Sequence, residues 1–211
     1  MDDQMRDIII SVRELALSHG IQDVSLSQII KKLDIRPEVM HEYFKDESDL
    51  VEKVLEFERD SFKTIFDDYN FENVNAIDIL LTVSKEIASR FTSLTPSISV
   101  DLKKYYPEIY QRHFELRIEF IFEKIKINIE KGIRQGMYRD DLSIELIARL
   151  YISRLIDLHN PDFFPPDKFS FATLFEVMFE NFIRGISNEE GIKYYKKQKK
   201  SMQFEMQHPI S

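Results

Sequence analysis

Residues 25–44 read SLSQIIKKLDIRPEVMHEYF. Leu26, Ile29, Ile30 and Leu33 recur at spacings of three and four, the period of a helix with one apolar face. Ser25 or Ser27 can accept a hydrogen bond from the free N–H groups that open such a helix. Asp34-Ile35-Arg36 reads as a tight connection, and Pro37 suits the first position of a following helix, where its missing N–H has no consequence. Val39, Met40, Tyr43 and Phe44 give that second helix an apolar side. Two short helices joined by about three residues form a helix-turn-helix, whose second helix lies in the DNA major groove. On spacing alone, any helical hairpin fits equally.

Upstream, Met5, Ile8, Ile9, Val12, Leu15 and Ala16 form a helical stripe over residues 5–19, and Gly20 follows as a left-handed cap. Downstream, Asp46 is placed to cap a fourth helix and Asp49 lies in its first turn, where the helix dipole favours an acid. That helix runs to about Tyr69, with Leu50, Val54, Phe57, Ser61, Ile65 and Phe66 along one side. The spacing predicts further helices over 76–94, 97–104, 107–135, 143–159 and 169–186. Gly132 and Gly136 end the long one, Ser143 caps the next, and the Pro-rich loop NPDFFPPD precedes the last. The expectation is an all-α chain of about nine helices with no sheet.

Composition agrees. Five Gly and seven Pro in 211 residues are too few for a turn-rich β fold, and 43% hydrophobic residues suffice for a buried core. The absence of Cys excludes disulfides, thiol catalysis and Cys-based zinc sites. The start MDDQMRD is acidic and no apolar run approaches the roughly 20 residues of a membrane span, so a cytoplasmic protein without membrane contact is expected. No phosphate-cradling glycine loop and no nucleophile elbow stand out. His19, His41, His113, His159 and His208 are scattered, and none lies four residues from another as helical zinc ligands would. Neither an enzyme nor a cofactor or metal site is expected.

The order of features resembles the N-terminal pattern of the TetR family of transcriptional regulators. An amphipathic helix ends at Gly20, Ser25-Leu26-Ser27-Gln28-Ile29 follows, and then come Tyr43-Phe44, Glu47 and Asp49-Leu50, where the family has a Tyr-x-Tyr-Phe-x-x-Lys-Glu-x-Leu-type run. The resemblance spans about residues 5–60, and Gly132-Ile133-Arg134-Gln135-Gly136-Met137-Tyr138-Arg139-Asp140-Asp141 resembles the loop before the eighth helix of many members. It implies a three-helix DNA-binding domain over residues 1–48, with the helix-turn-helix at about 25–44, and a ligand-binding and dimerisation domain over 49–211. It also implies pairing through helices eight and nine.

This chain departs from that pattern in the turn and in charge. Asp34 stands where the family usually has Gly, Arg36 at the usual Ser or Thr cap, Ile30 at a small position, His41 for the first Tyr, and Glu47-Ser48 for Lys-Glu. Between Arg36 and Asp49 there are two basic residues (Arg36, Lys45) and five acidic ones (Glu38, Glu42, Asp46, Glu47, Asp49), and the whole chain carries a formal charge of -8. Such a balance opposes phosphate rather than steering toward it. Glu38 or Glu42 can either read a cytosine amino group or simply face solvent.

The residues expected at DNA are Ser25, Ser27, Gln28, Arg36, Pro37, Glu38, His41, Tyr43 and Lys45. Ser25, Ser27 and Gln28 open helix two, where free N–H groups meet a phosphate. Lys45 and the Tyr43 hydroxyl would lie on the backbone, and the rest would face the groove. Phe91, Tyr105, Tyr106, Tyr110, His113, Phe114 and Arg117 gather around the sixth and seventh helices. They are the candidate walls of a cavity for a small, mainly apolar effector, with His113 and Arg117 sharing a face to orient a polar group; the bland alternative is core and solvated charge. Helix nine is apolar nearly all round, which marks deep core or an interface. Leu155, Phe175, Met178, Phe179 and Phe182 are the candidate dimer contacts. The Lys-rich run from Lys193 is either a nucleic-acid contact or a solvated helix end.

The sequence reading is therefore a homodimeric regulator, a repressor that a small effector releases from double-stranded operator DNA. The alternative is a dimer of the same fold that has lost specific DNA binding and serves as a ligand- or protein-binding module.

Overall fold

The computed structural model describes residues 2–21, 24–90, 96–158, 160–165 and 167–207, with side chains described throughout except at 17, 88, 90, 96–99 and 202–207. Among them are ten helices: α1 (Asp3–His19), α2 (Leu26–Leu33), α3 (Pro37–Tyr43), α4 (Glu47–Asp67), α5 (Ala76–Arg90), α6 (Pro96–Tyr105), α7 (Pro107–Arg134), α8 (Ile144–Asp157), α9 (Phe171–Ile186) and α10 (Glu189–Gln207). The described residues contain no strand, only an isolated antiparallel bridge between Tyr138 and Ser187. The all-α expectation holds, with one helix more than the nine counted from sequence.

The helices gather into two compact units. One comprises residues 1–65 and 93–117, the other 66–92 and 118–211, the boundaries falling inside α4 and α7. In the first unit, Ile8, Ile9, Val12 and Ala16 of α1 meet Leu26 and Ile29 of α2, Met40 of α3, Phe44, and Leu50, Val51 and Val54 of α4 in one buried cluster. All of these except Val51 are apolar positions that the sequence reading picked out. Asp2 caps α1 by accepting from the Met5 N–H at 2.8 Å, and Asp46 caps α4 by accepting from the Asp49 N–H at 2.8 Å. Gly20 follows α1 at φ 90, ψ 157, a region closed to residues with a Cβ rather than the left-handed helical one.

In the second unit, α5 packs on α9 and α10, and α8 packs on α9. Ile77 and Leu80 of α5, Ile125 and Ile129 of α7, Tyr151 and Ile152 of α8, and Phe179 and Ile183 of α9 are buried. Buried Asn128 ties the layers: its amide donates to the Ala76 carbonyl at 2.9 Å, and its carbonyl accepts from the Tyr138 hydroxyl at 3.1 Å. Gly132 does not end α7 but sits within it, leaving room for the Tyr138 ring, and the chain turns at Gly136 with φ 69. Ser143 precedes α8 without a side-chain capping bond.

The Lys-rich run is a helix held to the second unit. Tyr195 is buried, the Tyr194 hydroxyl donates to Asp78 at 2.5 Å, and Lys199 pairs with Glu180 at 2.5 Å and Glu176 at 3.4 Å. Lys199 and Arg184 together hold the Glu180 carboxyl at about 2, below the usual carboxylate range.

Candidate nucleic-acid interface and effector site

The helix-turn-helix is built by local rules acting on the quoted stretch. Ser25 closes a capping box on α2: its hydroxyl accepts from the Gln28 N–H at 3.3 Å, and the Gln28 side chain accepts from the Ser25 N–H at 3.3 Å. Ser27 stands one turn residue inside, hydroxyl to hydroxyl with Ser25 at 3.1 Å. Asp34 ends α2 in the left-handed region at φ 52, ψ 40, the only non-glycine residue with positive φ among the described residues. The short polar Asp side chain visits that region more readily than most, so the turn forms without the glycine usual in the family. Arg36 opens α3 with no side-chain cap, and Pro37 follows at the first helical position. Met40 and Phe44 reach zero exposure and anchor α3 to the core. Lys53 closes its far end, donating to the Tyr43 carbonyl at 2.5 Å while lying over the Phe44 ring.

This anchoring leaves a definite outer surface. Ser27, Gln28, Lys31, Lys32, Arg36, Pro37, Glu38, His41, Glu42 and Lys45 are exposed, and Ser25 is half-buried at the edge. Tyr43 is half-buried, and its hydroxyl is already engaged, donating to Asp2 at 3.0 Å and Gln4 at 3.3 Å. Sequence reasoning missed a second engagement. Glu47, which stands where the family pattern has Lys, accepts from the Leu26 N–H at 3.4 Å. A carboxylate thus rests at the N-terminus of α2, where a DNA phosphate was expected. The substitution was visible in sequence, but the contact spans 21 positions and no local pattern signals it.

The second candidate group lies on α4 and α7 within the same unit. Tyr110, His113, Phe114 and Arg117 share one face of α7, while Gln111, Arg112, Glu115 and Leu116 point to solvent. The Tyr110 and Phe114 rings stack at 5.9 Å, and the Arg117 guanidinium lies over Phe114 at 5.9 Å. His113 Nδ1 is buried without a hydrogen-bond partner. Burial first, and then the positive charges of Arg117 and Arg59, push the His113 imidazole down to about 4, so it is neutral near pH 7. Burial also works against the charge of Arg117. Arg59 carries no sequence signal that would have singled it out from other charges on a long helix. Of the other residues expected here, Tyr106 packs on the helix-turn-helix core. Tyr105 is exposed with Lys104 over its ring, and Phe91 lies outside the described residues.

The expected dimer contacts fall differently. Phe175, Met178, Phe179 and Phe182 are buried by the chain's own side chains, Phe182 meeting Tyr151 at a centroid distance of 4.5 Å. They leave little surface exposed within the single protomer. Leu155 is half-buried. The large apolar side chains left exposed on α8 and α9 are Leu146, Leu150, Ile156 and Val177. Among the described residues no cluster of His, Asp and Glu could hold a metal ion, and no helix is long and apolar enough to cross a membrane.

Solved structures share this helix order over nearly the whole chain. A TetR transcription regulator from Haloarcula marismortui superposes with a TM-score of 0.71 at 18% identity, covering 89% of this chain and 100% of its own. A TetR-family transcriptional regulator from Agrobacterium tumefaciens gives 0.67 at 16% identity, covering 87% and 97%. The chain has a TetR-like fold. A transcriptional regulator from Saccharomonospora viridis solved in complex with choline gives 0.67 at 17% identity and covers 90% and 100%. No protein-family model matches the sequence, and no curated protein matches it. The TetR-like fold therefore rests on three-dimensional likeness and on the N-terminal pattern of residues 5–60.

Proposed function

We propose that this chain is a one-component transcriptional regulator: a homodimer that binds double-stranded operator DNA through α3 and represses until a small effector releases it. The observation that carries this reading is the helix-turn-helix itself. Met40 and Phe44 fix α3 so that Arg36, Pro37, Glu38 and His41 are exposed together, inside a TetR-like fold whose solved examples include transcriptional regulators. Residues 1–48 serve as the DNA-binding domain in this reading and 49–211 as the effector-binding and dimerisation domain. The Tyr110–His113–Phe114–Arg117 face is the effector site, and the choline bound to one similar structure supports a small ligand in a fold of this kind. Two-fold pairing, which half-sites one helical turn apart require, would use the exposed Leu146, Leu150, Ile156 and Val177.

The test is a genomic pull-down by the purified full-length protein at low salt, followed by sequencing of the bound fragments. Enrichment of one short palindrome is expected. Its affinity should fall by about three to five orders of magnitude between about 50 and about 200 mM salt if several phosphates are contacted. No enrichment by a sample shown to be a folded dimer would overturn the regulator and favour a binding module that has abandoned DNA, consistent with the acidic segment and Glu47. A monomer at micromolar concentration in sedimentation would overturn the dimer.

A further inference from the structure

The face shared by α4 and α7 carries positive charge without matching negative charge. Arg59 and Arg117 both act on the half-buried His113, whose Nδ1 is buried. Two carboxylates of α4 are committed to other partners: Glu58 pairs with Arg13, and Glu52 pairs with Arg112 at 2.5 Å. Among the described residues neither Arg59 nor Arg117 has a carboxylate partner or a hydrogen bond. Burial of the Arg117 guanidinium and of the unpartnered His113 Nδ1 without a counter-charge or hydrogen-bond partner is unfavourable. An anion seated there would supply both. Guanidinium is the side chain best matched to a planar, two-oxygen anion. The stacked rings of Tyr110 and Phe114 supply an apolar wall beside it.

We propose that Arg59, His113 and Arg117 form a recognition site for a small organic carboxylate whose apolar body lies on Tyr110 and Phe114. The carboxylate oxygens accept from the guanidiniums and from the imidazole N–H, and the neutral His113 adds a donor without adding charge. This deepens the effector reading above and rests on it for its regulatory meaning, replacing a mainly apolar effector with an amphipathic anion.

The test uses full-length protein and calorimetric titration with benzoate, 2-naphthoate and hexanoate. Each is compared with the neutral alcohol of the same skeleton and with inorganic phosphate. At least one carboxylate should bind at least about tenfold more tightly than its alcohol, the margin expected of charge-assisted hydrogen bonds. Arg117→Gln should erase that margin while leaving the alcohol's affinity unchanged; Arg59→Gln serves in its place should the first variant fail to fold. The proposal is overturned if no carboxylate in the series outperforms its alcohol, or if phosphate binds as well as the best of them. The same carboxylate is then added to the protein on its enriched DNA fragment. Binding that leaves DNA occupancy unchanged upholds the carboxylate site and overturns the effector role, so the two failures are distinct.

Discussion

Gly132→Ala probes the joint on which the second unit depends. A Cβ at Gly132 would lie 2.0 Å from Tyr138 Cδ2 and 2.2 Å from Cε2. Ordinary carbon contacts need about 3.5–4.0 Å, so the ring would have to retreat by about 1.5 Å. It is poorly placed to do so. Tyr138 is 2% exposed, its hydroxyl is held by Asn128 at 3.1 Å, and the neighbouring Arg139 N–H is tied to the Ile186 carbonyl at 2.9 Å. Overpacking of this kind destabilises by about 1–3 kcal/mol. Pulling the hydroxyl off Asn128 strands a buried polar group at about 1–3 kcal/mol more, while the better helix propensity of Ala returns about 1 kcal/mol. The expected net loss is about 1–5 kcal/mol, read as a lower urea midpoint with an unchanged slope. Gly185→Ala is the matched control: a Cβ there meets nothing within 4 Å, so the variant should be no less stable than the parent and gain up to about 1 kcal/mol from helix propensity. A Gly132→Ala protein as stable as its parent would refute the close approach of Tyr138 and the locking role assigned to it.

Three further perturbations test other joints. Asp34→Val places a β-branched residue at φ 52 and should lose about 1–2 kcal/mol, whereas Asp34→Gly should change stability by less than about 1 kcal/mol; equal midpoints for both would remove the left-handed turn from the account. His113 ionises at about 4 when folded and near 6.5 when unfolded, so the unfolded chain binds the extra proton between those values. Stability is therefore fully present above about pH 6.5 and declines as pH falls toward 4, by at most about 3 kcal/mol from this group. His113→Phe should flatten the difference between urea midpoints measured at pH 5 and pH 7. Glu47→Gln removes the carboxylate from the N-terminus of α2 and should raise affinity for a non-specific duplex at low salt. It should also steepen the salt dependence by up to about one phosphate per half-site, and an unchanged slope would show that DNA does not reach that helix end.

Where structure follows from neighbours in sequence, it was legible. The Ser25 capping box, Pro37 at the first position of α3, the Asp46 cap and the buried Met40 and Phe44 all depend on residues a few positions apart. The hidden features share a different trait. Glu47 reaching Leu26, Asn128 reaching Ala76 and Tyr194 reaching Asp78 span 21, 52 and 116 positions, and no periodicity encodes such pairs. Helix α10 escaped notice because its buried side chain, Tyr195, is embedded in lysines that read as a solvated end. The apolar surround of α9 was read as deep core or an interface, and much of it is buried within the chain. A stripe wide enough for both cannot be divided without knowing what α5 and α8 cover. For the α4–α7 face, the spacing of His113 and Arg117 was legible, whereas Arg59 depends on how α4 meets α7.

On the proposed regulator reading, the charge of the outer helix-turn-helix surface limits how DNA would be held. Lys31, Lys32, Arg36 and Lys45 are the exposed cations of the helix-turn-helix, and Glu38, Glu42, Asp46 and the Glu47 carboxylate stand among or beside them. Phosphate neutralisation supplies most of the sequence-independent affinity, so a surface with little net positive charge binds random duplex weakly. Weak non-specific binding does not by itself reduce specificity, which is the ratio of the two affinities. Acidic side chains in the groove repel phosphate everywhere but can accept from a cytosine amino group at the right site, so the same Glu38 or Glu42 that weakens general binding can reward one sequence. The penalty is affinity: with few phosphate contacts in reserve, the proposed dimer would have to engage two half-sites together, and a modest shift in their spacing would release it. On the proposed reading, an anion held by Arg59 of α4 and Arg117 of α7 would act within the same compact unit as the helix-turn-helix. In a regulator balanced this way, the small free energy of one charge-assisted contact would bear directly on occupancy.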